Sequence, residues 1–434
     1  MSNLSLITGP VPVIAVLLGV LGLGWLVIGD FRYVSRVVPA AVGIALVVTL
    51  LIAYLAENVF HWWDGGLPRV LYVPAGLVIL AVVLLLPRMG VLQSFAGKLA
   101  AVLAVVLVLI GAASIVNVHF GQYPTLASAL GQTGVSAGPI EEIAAGPGTP
   151  GEPPVTEATW VPPSGMPSNG NIYSVTIPAP ASGYTSGPAL VYVPPAYLAS
   201  PKAVNLPVLV LFHGMPGSPV DWLTGGQLAA VMDAYAAAHE GLAPVVVLPD
   251  ITNNGAADPP LCMDTTISRS ATYLAVDVPA WVKTTLGAGT SSAQQWAVAG
   301  FSYGGTCTMQ LAANFPEIYP TFIDIAGETE PTVPGGREAL VSTYFAGDAA
   351  AFTAQNAIDR LAVRSYGSST GIIVTGAGDS VYGPQGKKVY DAALAAGMNV
   401  TLQELPGGHS WQVWKPGLQN NLDWLTGQLG LTAP

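Results

Sequence analysis

Gly300-Phe301-Ser302-Tyr303-Gly304 lies between an apolar run, Gln295-Trp296-Ala297-Val298-Ala299, and a helical pattern from Thr306 to Phe315. A Gly-x-Ser-x-Gly run in a strand, turn, helix setting has the form of a nucleophile elbow, in which a serine is held on a sharp, strained turn at the end of a buried strand. Glycine is needed two positions to either side because that turn leaves no room for side chains there. The competing reading is an ordinary Gly/Ser turn in a chain with 50 glycines. A pentapeptide does not separate the two, so the decision falls to the rest of the sequence.

A serine hydroxyl needs a base to take its proton and an acid to hold that base in one tautomer. Both follow Ser302 in the order serine, acid, histidine that an α/β-hydrolase requires. Asp379 ends the turn Gly376-Ala377-Gly378-Asp379 after the strand pattern Ile372-Ile373-Val374-Thr375, and His409 ends Pro406-Gly407-Gly408-His409 after the strand pattern Val400 to Leu405. Glu328, Glu330 and Asp348 also lie near strand ends and compete with Asp379 for the acid. Of the five histidines, His61 and His119 fall at membrane boundaries, His239 ends a surface helix pattern, and His213 follows a central strand, which leaves His409 as the base. Oxyanion donors are expected from the amide of Tyr303, the residue after the nucleophile, and from the amide of Met215 in the loop Leu211-Phe212-His213-Gly214-Met215-Pro216-Gly217-Ser218. An ordinary strand-to-helix turn is the other reading of that loop.

Outward from these loops, short β-branched runs alternate with helical patterns. Strands are expected at Ile172 to Ile177, Ala189 to Val193, Val208 to Phe212, Pro244 to Leu248, Thr321 to Ala326, Gly371 to Thr375 and Val400 to Leu405. Helices are expected at Leu228 to Ala238, Tyr273 to Leu286 and Gln385 to Ala396. Such alternation implies a mainly parallel central sheet covered on both faces; together with the order of Ser302, Asp379 and His409, the expectation for residues 171–434 is an α/β-hydrolase domain.

The first 120 residues have another character. Mean hydropathy over the chain is +0.54 with 9% charged residues, and the apolar excess is concentrated in four runs, Pro10 to Gly29, Val37 to Phe60, Val70 to Pro87 and Leu99 to His119. Each is near the ~20 residues of a spanning helix, so an α-helical four-span membrane domain is expected. No basic n-region precedes the first run, which argues against a signal peptide. Arg32 and Arg36 fall in the first loop, Arg88 and Lys98 in the third, and only Arg69 in the second. The positive-inside rule then puts the first and third loops in the cytoplasm and everything after His119 outside it. No buried charge is expected within the spans, which argues against an ion or proton path. Gly19, Gly22 and Gly24 could allow close helix contact, and His61-Trp62-Trp63-Asp64 reads as an interfacial anchor rather than a ligand site. Residues 121–170 are rich in Gly, Pro, Ser and Thr and read as a linker without a core of its own.

A net charge of −11 argues against nucleic acid as a partner, and none is expected. There is no Cys/His metal spacing, P-loop or dinucleotide fingerprint, and no cofactor is expected. The two cysteines, Cys262 and Cys307, lie in the segment placed outside the cytoplasm; they are either one disulfide or two separately buried thiols.

Two further segments carry a resemblance. His409-Ser410-Trp411-Gln412-Val413-Trp414 is similar to the His-Ser-Trp-x-x-Trp segment that bears the catalytic histidine in the esterase D group of α/β-hydrolases, which includes the antigen 85 mycolyltransferases. Tyr273-Leu274 followed by Asp277-Val278-Pro279-Ala280-Trp281 resembles the helix ahead of the elbow strand in that group. The likeness covers about Asn171 to Leu429. It implies catalytic roles for Ser302, Asp379 and His409, oxyanion amides at Met215 and Tyr303, and a Cys262 to Cys307 disulfide. Mycolyltransferases carry a glutamate acid and an Asp-Gly-Leu-Arg type oxyanion loop where this chain has Asp379 and His213-Gly214-Met215-Pro216, a departure that speaks against trehalose recognition and mycolyl transfer.

The expected function is a membrane-anchored serine esterase or acyltransferase acting outside the cytoplasm on acyl esters of the envelope, with an acyl ester or lipid-like substrate and membrane lipids as its partners. A catalytically silent hydrolase-fold scaffold of an envelope or membrane complex is the alternative from another class, and a serine peptidase is a third.

Overall fold

The protein is described by a computed structural model covering residues 4–59, 68–132, 134–135, 138–147, 153–253 and 259–433. It divides into two compact units, Met1–Gln132 and Thr133–Pro434. The motif His61-Trp62-Trp63-Asp64 and the centre of the Gly/Pro-rich segment, residues 148–152, lie outside the described residues.

The first unit holds four helices long and apolar enough to cross a membrane: α1 (Pro10–Val27), α2 (Tyr33–Val59), α3 (Arg69–Val91) and α4 (Phe95–Phe120). Helices α1 and α4 approach most closely at Gly19 and Gly22, where a Cβ on Gly22 would stand 2.6 Å from the Ala104 carbonyl oxygen, whereas Gly24 faces open space. Small residues thus let two backbones meet.

Two expectations for this unit are corrected. Helix α3 does not stop at Pro87 but continues to Val91, so Arg88 belongs to its last turn and not to the third loop. Arg88 is also only 6% exposed, so the helical unit does contain a buried charge. Proline misleads here because its lost hydrogen bond and steric clash fall near the helix end, and spanning helices tolerate it.

The second unit is built on an eight-stranded sheet of β1 (Asn171–Val175), β2 (Ala189–Val193), β3 (Val208–Phe212), β4 (Val245–Leu248), β5 (Trp296–Phe301), β6 (Thr321–Ile325), β7 (Thr370–Gly376) and β8 (Asn399–Leu405). The spatial order is β1-β2-β4-β3-β5-β6-β7-β8. Pairing is antiparallel at β1/β2 and β2/β4 and parallel from β4 through β8. The middle strands are buried on both faces: Val208, Val210 and Phe212 enter one core while Leu209 and Leu211 enter the other. That is why these strands read as unbroken apolar runs rather than alternating ones. This unit is an α/β-hydrolase fold.

From β3 the chain moves to β4 on one side and later to β5 on the other, so a crevice opens between the ends of β3 and β5, where open α/β sheets place their sites. Helices α5 (Leu228–Ala238), α6 (Tyr303–Asn314), α7 (Tyr382–Ala395) and α8 (Trp411–Gln419) flank the sheet. Of the Gly/Pro-rich segment, residues 121–132 fall in the first unit, where the Leu6 amide donates to the Pro124 carbonyl, and later described residues are bound to the second. Ile140 is buried in the hydrolase core, the Gly146 amide donates to the Thr285 carbonyl, and the Trp160 indole donates to the Glu240 carbonyl.

Candidate active site

Strand β5 delivers Ser302 at φ 55° and ψ −124°, a strained backbone for a residue other than glycine. The turn is held by the Ser302 amide donating to the Ile325 carbonyl at 2.9 Å and by the Thr306 amide donating to the Ser302 carbonyl at 3.0 Å. A Cβ on Gly300 would lie 2.4 Å from the Gly304 carbonyl oxygen, and one on Gly304 would lie 2.5 Å from the His213 carbonyl oxygen. The pentapeptide is therefore set by close backbone approach, and α6 begins at Tyr303, immediately after the serine.

His409 and Asp379 reach Ser302 from β8 and β7. The His409 ring stands with Nε2 at 2.8 Å from Ser302 Oγ and Nδ1 at 2.9 Å from Asp379 Oδ2. The loops that carry them are joined by the Gly378 amide donating to the Gly407 carbonyl at 2.7 Å. Asp379 Oδ1 accepts from the Val381 and Tyr382 amides. Burial pushes the Asp379 carboxyl up, but the hydrogen bond from His409, those from the amides and the nearby imidazole outweigh it and hold the group below the ordinary carboxylate range. An ionised carboxylate only accepts, so the shared proton sits on His409 Nδ1 and Nε2 is left to accept from the serine hydroxyl. The Tyr382 ring stacks on His409 at 4.0 Å between centroids.

The His-Ser-Trp-x-x-Trp segment acquires a physical role. Ser410 caps the N-terminus of α8, accepting from the Gln412 amide. Trp411 and Trp414 then lie one turn apart on the buried face of α8, against Phe301, the residue before Ser302, with ring centroids at 4.7 and 4.3 Å. Trp222 completes the cluster. The loops of serine and histidine thus rest on one rigid aromatic floor.

Tyr303 is the first residue of α6, so its amide has no partner within the helix, and the Met215 amide makes no hydrogen bond among the described residues. The loop carrying Met215 is braced by His213, which is fully buried. His213 Nδ1 meets the Gly214 carbonyl at 2.8 Å, and Nε2 accepts from the Ile251 amide at 3.3 Å, with Asp250 Oδ1 at 3.5 Å. The remaining candidates fall elsewhere. His239 stacks on Tyr235 and meets Glu157, and His119 lies against Phe120 in α4. Glu328 accepts from the Thr332 hydroxyl, Glu330 pairs with Arg337, and Asp348 caps a short helix, so none of the three hydrogen-bonds His409.

Cys262 and Cys307 form a disulfide with Cα atoms 5.3 Å apart. It ties the loop before the residue 270–286 helical segment to α6, one turn beyond Ser302, and the same loop is held by the Leu261 amide donating to the Tyr303 hydroxyl at 2.8 Å. For a sequence separation of 45 residues, the loop-closure model gives about 4 kcal/mol. Cys262→Ser/Cys307→Ser is expected to lower the melting temperature of the hydrolase unit by about 6 °C, measured by calorimetry against the unreduced parent.

Asp324 was not anticipated. It lies in β6, paired in register with Gly300 of the elbow strand, is fully buried, and has Oδ1 accepting from the Gly327 amide while Oδ2 has no partner among the described residues. Burial pushes its carboxyl from the ordinary 3.8 up to about 7, against the lowering effect of that amide. The folded protein therefore holds a proton that the unfolded chain has released between those values, and stability falls as pH rises through that window. The linked change is on the order of 4 kcal/mol. Asp324→Asn should abolish this slope, seen as a smaller difference in melting temperature between pH 5 and pH 8 than in the parent. An isolated acid in Thr321-Phe322-Ile323-Asp324-Ile325 is the sequence signal that could have found it, since every position of a doubly covered strand is buried.

Residues 186–425, more than half of the 434-residue chain, match the family model described as "Putative esterase". An uncharacterized protein of Corynebacterium glutamicum is 32% identical over 373 residues, spanning 84% of this chain and 83% of that protein. That stretch is longer than the hydrolase unit, so it extends into the helical one. Among solved structures, a ferulic acid esterase superimposes with a TM-score of 0.50 at 18% identity, over 60% of this chain and 99% of that one. An S-formylglutathione hydrolase from Agrobacterium tumefaciens does so with a TM-score of 0.50 at 19% identity, over 61% and 97%. At such identities these structures speak for the fold.

Proposed function

Because this chain belongs to the esterase family, we propose that it is a membrane-anchored serine hydrolase or acyltransferase that acts on acyl esters of the cell envelope outside the cytoplasm. The observation that carries this reading is the unbroken hydrogen-bonded chain from Ser302 Oγ through His409 to Asp379. Ser302 attacks the ester carbonyl as its proton passes to His409 Nε2. Asp379 holds the imidazole tautomer and stabilises the imidazolium that forms. The amides of Tyr303 and Met215 receive the developing oxyanion. His409 then returns its proton to the leaving alcohol, and the acyl group remains on Ser302 until water or an acceptor alcohol takes it.

The envelope assignment rests on two features of the sequence. Four apolar helices precede the hydrolase unit in the same chain, and the basic residues flanking them favour a hydrolase unit outside the cytoplasm. The disulfide accords with an oxidising compartment.

The test is turnover of short p-nitrophenyl esters by the detergent-solubilised full chain, with and without a primary alcohol in the micelle. Ester cleavage supports the hydrolase reading, and an acylated alcohol as main product identifies a transferase. No turnover together with no adduct to a fluorophosphonate would sink the assignment in favour of a silent scaffold.

A further inference from the structure

The end of the helical unit formed by the α1–α2 and α3–α4 connections carries Arg32, Arg36, Arg88 and Lys98 against a single acid, Asp30. Arg88 differs from the other three cations because it points into the bundle. It is 6% exposed, its Nε is enclosed without a hydrogen-bond partner, and it has no ion-pair partner among the described residues. Its guanidinium carbon stands 5.3 Å from the Trp25 ring and 5.8 Å from the Tyr33 ring. Of the two rings, Trp25 is 41% exposed and Tyr33 is held in place. The Tyr33 hydroxyl donates to the Leu26 carbonyl, its amide donates to Asp30 Oδ1, and a Cβ on Gly29 would lie 2.5 Å from the Tyr33 ring.

Aromatic faces offset part of the cost of enclosing a cation but satisfy none of its N–H donors. An unpaired guanidinium within an apolar bundle is expensive, so its position asks for an anion. The guanidinium fork matches two oxygens of one phosphate, and at the end of a spanning helix phosphate is the anionic group supplied by the bilayer itself. Phe31 and Phe95 are 85% and 83% exposed at this same end, as residues are that lie among lipid rather than protein.

We propose that Arg88, with Trp25 and Tyr33, forms a binding site for the phosphate of an anionic phospholipid at this end of the helical unit. The inference rests on insertion of the four helices in a membrane and is independent of the chemistry at Ser302.

The test compares the full chain with Arg88→Met, which keeps an unbranched apolar stem and removes the guanidinium, and with Arg88→Lys. Each is taken from membranes containing phosphatidylglycerol and analysed for co-purifying lipid by native mass spectrometry. The parent should retain one phosphatidylglycerol, Arg88→Met should retain at least about tenfold less, and Arg88→Lys should fall between. In nanodiscs, the parent should melt higher in phosphatidylglycerol than in phosphatidylcholine, and Arg88→Met should melt alike in both. If inorganic phosphate added to phosphatidylcholine discs reproduces the parent's shift, the phosphate site stands and its source is free phosphate. Equal lipid retention by parent and Arg88→Met overturns the proposal, as does an equal shift in both. Carbonate extraction separates the premise from the inference. Release of the chain overturns membrane insertion and this proposal with it, whereas sedimentation with unchanged lipid retention overturns the proposal alone.

Discussion

Replacement of Ser302 by alanine should lower ester turnover by about 10^6-fold and abolish covalent labelling by a fluorophosphonate. The size of the effect follows from the way the site is assembled. Ser302 Oγ is the atom to which His409 Nε2 is directed at 2.8 Å, and no other hydroxyl hydrogen-bonds that nitrogen among the described residues. Removal of the oxygen leaves the proposed oxyanion amides and the binding surface, which alone would give a residual acceleration over water of about 10^3 to 10^4. Folding should be unaffected, because the Ser302 amide and carbonyl, not its side chain, make the bonds that hold the turn. The control is therefore an unchanged melting temperature beside the lost activity. Labelling that persists in Ser302→Ala would place the nucleophile elsewhere and remove the basis of the proposed function.

The elements that could be read from sequence are those in which one residue type is forced by one physical demand. Gly300 and Gly304 are forced by backbone contact, the β3 and β5 runs by burial on both faces, and the turns carrying Asp379 and His409 by their place after strands. Partners that come from distant chain were not readable. Tyr382 contributes a stacked ring to His409, and His213 meets Asp250 across 37 residues, with no local pattern to announce either contact. The antiparallel attachment of β2 to β4 is of the same kind, since strand order depends on pairing between segments far apart in the chain. Arg88 was misplaced for a different reason. A proline beside an arginine looks like a boundary in water, but near the end of an apolar helix it costs little, and the charge was drawn inward by two rings from another part of the unit.

The second large effect is expected at Asp379. Asp379→Asn should lower kcat by about 10^4-fold with little change in KM. The carboxylate is held in ionised form by His409 and by two amides. Sign follows from that depression: the ionised group contributes stability above the ordinary carboxylate range and loses it as pH falls through its lower folded value, so the site keeps this acceptor throughout the neutral range. An asparagine fits the same space and can still accept at Oδ1 from the Val381 and Tyr382 amides. Its NH2 group then occupies the position of Oδ2 and faces His409 Nδ1, which it can satisfy only as a donor. The imidazole proton moves to Nε2, and Ser302 loses its base although every heavy atom stays in place. A fluorophosphonate reads the same step without substrate, so its rate of adduct formation should fall in parallel with kcat. Retention of more than about one tenth of the parent activity would mean that another group orients His409, with Glu328, Glu330 and Asp348 as the next residues to replace. The structure argues against that outcome, because the carboxylates of those three are engaged with Thr332, Arg337 and a helix N-terminus rather than with the imidazole.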